Sequence, residues 1–103
     1  MIISKLRMIL TKDELRRIAV QAEQNGTISI TADVHGMKCF EAKRFINNII
    51  NIVHITFQLV IIHGYNHGTA IKEMLTHHFI NNHICRQFID PNNQGVTHMI
   101  IAV

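Results

Sequence analysis

Cysteine is scarce in this chain: Cys39 and Cys85 are the only two among 103 residues, and they form no C-x-x-C pair. That spacing excludes a disulfide framework and reads as two reduced thiols, packed as small hydrophobes in a reducing, cytoplasmic compartment. Long apolar runs are missing as well. None approaches the roughly 20 residues that a membrane-spanning helix needs. The start, Met1-Ile2-Ile3-Ser4-Lys5, lacks the cationic head, apolar stretch and cleavage site of a secretory signal. A cytoplasmic protein with no membrane partner is therefore expected. There is no linker, low-complexity tract or internal repeat, so the expectation is one domain, acting as a monomer or a weak homo-oligomer.

What is present suffices for a core: 48% of residues are apolar and only 17% charged. The net charge of +3 is unevenly spread. Residues 1–50 carry eight of the ten Lys and Arg, and the remainder carries seven of the eight histidines, which add positive charge just below neutrality. This balance suits a polyanion partner, although solvated helix faces would account for it equally well.

Thr11-Lys12-Asp13-Glu14 has the form of a capping box. Leu15, Ile18, Ala19 and Ala22 follow at helical spacing until Asn25-Gly26, which predicts an amphipathic helix over residues 12–24. Periodicity leaves residues 2–10 open between a short strand and an apolar segment packed over a sheet. Residues 27–35 alternate polar and apolar, the pattern of a half-buried strand with Ile28, Ile30, Ala32 and Val34 inward. Phe40, Phe45, Ile46, Ile49, Ile50 and Val53 return to a 3.6 period, so residues 38–54 are expected to be a helix. Residues 57–62 are almost continuously apolar and read as a central strand covered on both faces. A helix over about 69–82, a strand near 84–89, a turn at 90–95 and a last strand at 96–103 complete the order. The expectation is an α+β two-layer sandwich, with a βαβαββ mixed sheet after an extra N-terminal helix.

The residues able to do chemistry sit at two strand ends. Asp33 and His35 project together on one face of the first strand, a carboxylate beside an imidazole. His63 ends the central strand, and His67 follows in the loop 63–68. If the two strands are parallel, their C-terminal ends share one rim, where all four residues would converge. His77, His78, His83 and Cys85 offer zinc-type ligands, but their spacing fits no familiar pairing and they read as exposed histidines near a helix end.

Ala32-Asp33-Val34-His35-Gly36, then Val60-Ile61-Ile62-His63-Gly64 with Gly68, and finally Gly95-Val96-Thr97 resemble the Smr (small MutS-related) domain over residues 27–103, leaving 1–26 as an N-terminal extension. The resemblance implies a fold like the C-terminal domain of translation initiation factor 3, with endonuclease or nucleic-acid-binding activity on RNA or DNA. Asp33 and His35 match the family's L-D-x-H-G motif, with Ala32 at the usual Leu position. His63, Gly64 and Gly68 match its H-G-x-G-x-G loop, Asn66 replaces the middle glycine, and Tyr65 and His67 stand where other residues are common. Lys72 falls near the family's basic helix position.

On this reading Asp33, His35 and His63 are the catalytic candidates. Gly64, Tyr65, Asn66, His67, Gly68 and Lys72 are the nucleic-acid-binding candidates, with helix-start amides near Thr69 holding phosphate. His35 moves the proton and Asp33 orients it, while His63 or His67 is the second proton carrier. With RNA, the 2′-hydroxyl serves as nucleophile and no metal is needed. With DNA, water attacks, and Asp33 instead helps to hold a divalent ion such as magnesium. The alternative is a non-catalytic nucleic-acid-binding or adaptor module.

Overall fold

A computed structural model describes residues 2–64 and 68–102. The chain runs through α1 (Ile2–Ile9), α2 (Lys12–Arg16), β1 (Ile18–Ala22), β2 (Ile28–Asp33), α3 (Cys39–Ile52), β3 (Phe57–Ile62), α4 (Ala70–His77), β4 (Ile84–Asp90) and β5 (Asn93–Ile101). From β2 onward this is the expected βαβαββ order. The strands form one five-stranded mixed sheet in the order β1-β2-β3-β5-β4, with β3 in the middle. Only β2 and β3 run parallel; the other three pairings are antiparallel.

The core lies on one face of that sheet. Ile30, Ala32, Leu59, Ile61, Met99 and Ile101 alternate inward from β2, β3 and β5. They meet Ala42, Phe45, Ile46, Ile49 and Ile50 of α3, and Ile71, Met74 and Leu75 of α4. Phe45 is fully buried, and truncating such a ring to Ala costs about 3–5 kcal/mol. The opposite face carries Gln58, Val60 and Ile62, which are only half-buried. The central strand is therefore fully covered on one face only, and the apolar run extends onto the other, where Val60 and Ile62 stay half-buried.

The largest correction concerns residues 12–24. The capping box forms as expected: Glu14 N–H donates to Thr11 Oγ1 at 3.1 Å, and Thr11 N–H to Glu14 Oε1 at 2.9 Å. The helix nevertheless ends at Arg16. Ile18–Ala22 then pair antiparallel with β2, from Ile18 opposite Ala32 to Ala22 opposite Ile28. Asn25-Gly26 makes the turn of this β1–β2 hairpin: Gly26 has φ of 85° and Glu23 N–H donates to Thr27 O at 2.8 Å. Burial of Ile18 and Val20 against the core outweighs a helical spacing that a five-residue strand also satisfies.

Residues 2–9, which periodicity left open, form a helix. Leu6 and Leu10 enter the common core, and α1 packs against α3. The final hairpin is tighter than expected: Asp90 pairs with Asn93, and β5 begins at Asn93 rather than at 96. Cys39 is half-buried against the core, whereas Cys85 is exposed on β4 and does not serve packing. Among the described residues no helix is long and apolar enough to cross a membrane.

Candidate functional site

Parallel pairing of β2 with β3 sets Asp33 beside Ile62, so the first turn after β2 and the first turn after β3 emerge side by side. Val34 N–H donates to Ile62 O at 2.9 Å and extends the register by one residue. The chain then reverses, with Met37 N–H donating to Val34 O at 3.1 Å. Gly36, third in that turn, has φ of 78°, a conformation that favours glycine. Gly64 has φ of 73°, and a Cβ placed on it would lie 3.8 Å from His35 Cβ. The two strand-end motifs thus touch.

Within the first motif one carboxylate oxygen organises the imidazole. Asp33 Oδ1 accepts the His35 backbone N–H at 3.1 Å and lies 2.5 Å from His35 Nδ1. An ionised carboxylate can only accept, so Nδ1 is the donor in this contact, and among the described residues Nε2 has no hydrogen-bond partner. The His35 side chain is 68% exposed, against 36% for Asp33. The pair is therefore oriented by the protein and open to a ligand.

His63 is placed differently. It is 6% exposed, and both its ring nitrogens are engaged: Nδ1 donates to Gly64 O at 2.9 Å, and Nε2 accepts from the Thr97 hydroxyl at 2.8 Å. Burial pushes its pKa below the ordinary 6.5; the Gly64 carbonyl opposes this and the Lys72 charge reinforces it. Gly95 O accepts both His63 N–H, at 2.9 Å, and Gly64 N–H, at 3.0 Å. The Gly95-Val96-Thr97 segment therefore holds the second motif in place, a role that its sequence alone does not reveal.

Two clefts meet at His35. One, of about 510 Å³, is lined by His35, Gly36, His63, Gly64, Gly68 and Lys72. The other, of about 350 Å³, is lined by Arg16, Arg17, Thr31, Asp33 and His35, with Asp13 at its edge. Five of the expected site residues share the first cleft, while Asp33 faces the second. Tyr65, Asn66 and His67 lie outside the described residues. Thr69 precedes α4, where its hydroxyl donates to Glu73 Oε1 at 3.2 Å.

Arg16 and Arg17 carry no sequence signal for this site, because they belong to the segment expected to be a separate helix. Among the described residues no three His, Cys, Asp or Glu side chains gather as a metal-ligand set. At the rim, Asp33 is committed to His35, a donor set that does not fit a cation held by protein ligands alone. His77, His78 and His83 are exposed.

The sheet and the rim define an α+β protein with an oriented Asp–His pair between two clefts that each carry cationic side chains. Compared with protein-family models, curated proteins and solved structures, the chain matches none of them.

Proposed function

We propose that this chain is an Smr-type endonuclease that cleaves RNA at the Asp33–His35 pair. The observation that carries the reading is the geometry of His35: Nδ1 is held by the Asp33 carboxylate while the ring stands exposed between two clefts. An imidazole held in this way can accept a proton at Nε2 when Nδ1 is the protonated nitrogen. In the proposed reaction a ribose 2′-hydroxyl gives its proton to Nε2 and attacks the adjacent phosphorus. The bond to the 5′-oxygen breaks, and that oxygen leaves with a proton from a second acid.

His63 has both ring nitrogens committed inside the protein, which suits a brace for the loop. His67 remains the candidate for the second acid. Lys72 on one side and Arg16 on the other supply positive charge for phosphates flanking the scissile bond. RNA is preferred over DNA in this proposal because it brings its own nucleophile, so no step needs a bound cation. The cytoplasm is the proposed location, in keeping with the unpaired thiols of Cys39 and Cys85.

The second reading is a nucleic-acid-binding module without catalysis. It is favoured by the burial of His63, which removes one proton carrier from the rim. Labelled single- and double-stranded RNA and DNA, incubated with magnesium or with chelator, separate the two. RNA cleavage that persists in chelator supports the nuclease. Binding without cleavage of any substrate supports the module.

A further inference from the structure

The strand-end motifs account for Asp33 and His35, but the turn that carries them is held from outside. Arg17 Nη1 donates to Asp33 O at 3.2 Å and to His35 O at 3.1 Å, gripping the carbonyls on both sides of Val34. The guanidinium is aimed by Asp13, whose Oδ2 lies 3.3 Å from Nε one helical turn earlier. The backbone closes the same contact, because Asp33 N–H donates to Arg17 O at 2.8 Å.

Arg17 is itself fixed by local sequence. The Thr11–Glu14 capping box sets where α2 begins, and Arg17 N–H donates to Glu14 O at 3.0 Å as the helix ends. Its side chain is 28% exposed, and the bond to Asp33 O is the more shielded of the two to the turn. Residues 1–26, outside the segment with the Smr resemblance, thereby reach the reacting pair.

We propose that Arg17 is a positioning residue for the Asp33–His35 pair, holding the 33–35 turn so that the carboxylate stays on Nδ1 and Nε2 faces the clefts. The role of the pair in catalysis rests on the reading above; the clamp does not. Arg17 holds both carbonyls with Nη1 while Nε pairs with Asp13, and a lysine keeps the charge but has no second nitrogen to be aimed in this way. A displaced turn frees the imidazole, which then no longer has one nitrogen singled out as donor.

The test is the ¹⁵N spectrum of the His35 ring in the full chain at a single pH of about 8, where an ordinary imidazole is neutral. The parent is expected to show the Nδ1–H form. Arg17→Ala is expected to shift the ring to a mixture of the two forms, with Arg17→Lys only partly restoring it, while backbone amide signals of α3 and β3 stay in place. A parent ring that is not Nδ1–H, or an Arg17→Ala ring unchanged from the parent while the denaturation midpoint falls, overturns the proposal and leaves Arg17 a stabilising contact alone.

Where the parent cleaves RNA, Arg17→Ala is expected to lower kcat at least tenfold with KM changed less than threefold. An unchanged kcat also overturns the proposal. A parent that does not cleave refutes the nuclease reading, and the ring spectrum then decides the clamp by itself.

Discussion

The Thr97 hydroxyl donates to Nε2 of His63 across 2.8 Å, joining the last strand to the end of the central one inside the protein. Thr97 is 1% exposed, so this bond has no water to replace it. Thr97→Val keeps the shape and removes the donor. The expected cost is about 1–3 kcal/mol, the range for leaving a buried polar atom unpaired, and urea denaturation of the two chains measures it.

The same histidine predicts how stability depends on pH. Its folded pKa lies below 6.5, chiefly because burial disfavours the charged ring. The unfolded chain then binds the proton more readily, so this contribution is fully present above pH 6.5 and is lost as pH falls towards the lower folded value. Asp90 acts in a separate window. The hydrogen bond from His98 holds its carboxyl below 3.8, so its contribution is present above that pH and is lost in stronger acid. Denaturation midpoints of the parent should fall on acidification below pH 6.5, and those of His63→Gln should fall less over the same interval.

Gly64 tests the contact between the two motifs. Space is available for a methyl group there, since the added Cβ would sit at an ordinary 3.8 Å from His35 Cβ. The positive φ of 73° is what disfavours it. Gly64→Ala is expected to cost about 1–2 kcal/mol from the left-handed backbone alone. Gly64→Asn should cost less, because Asn tolerates that region better. Chemical denaturation of both variants checks the order.

Residues 1–26 were expected to add an amphipathic helix to the domain. They instead supply α1, a shorter α2, and β1, which covers the free edge of β2. Removing them would expose that edge together with the core faces left by Leu6 and Leu10. A chain of residues 27–103 is expected to self-associate or precipitate where the full chain does not. Light scattering on the two at equal concentration makes the comparison.

Lys72 and Arg16 line different clefts, both bordered by His35. If both meet phosphate, Lys72→Ala and Arg16→Ala should each weaken nucleic-acid binding across sequences and lower the slope of log affinity against log salt by about 1. Fluorescence anisotropy over a salt series measures this, and slopes equal to the parent's would remove these residues from the interface.

Much of this arrangement was legible in the residues. Strict alternation in 27–35 placed Ile30 and Ala32 inward and Asp33 outward, because a strand leaves each side chain only two faces. The 3.6 period of Phe45, Ile46, Ile49 and Ile50 located α3. Parallel strands then brought His35 and Gly64 together, as the β-α-β order implies.

Other features were not legible. Leu15, Ile18, Ala19 and Ala22 satisfy a helical spacing, while Ile18, Val20 and Ala22 also satisfy alternation. Asn25-Gly26 ends a helix or turns a hairpin with equal ease. Only pairing with β2 decides between them, and that pairing is a long-range contact. The Arg17 clamp and the burial of His63 against Thr97 are long-range in the same sense. No local pattern announces which imidazole ends outside and which inside.

The measurement that bears most directly on the central claim is the end chemistry of RNA fragments produced in chelator by the parent and by Asp33→Ala/His35→Ala. Loss of a positioned base typically costs about 10²–10⁴-fold in rate. The account predicts fragments ending in 2′,3′-cyclic phosphate and 5′-hydroxyl from the parent, at a rate reduced at least that far in the double variant. Equal cleavage by the two chains, or none by the parent, would contradict it.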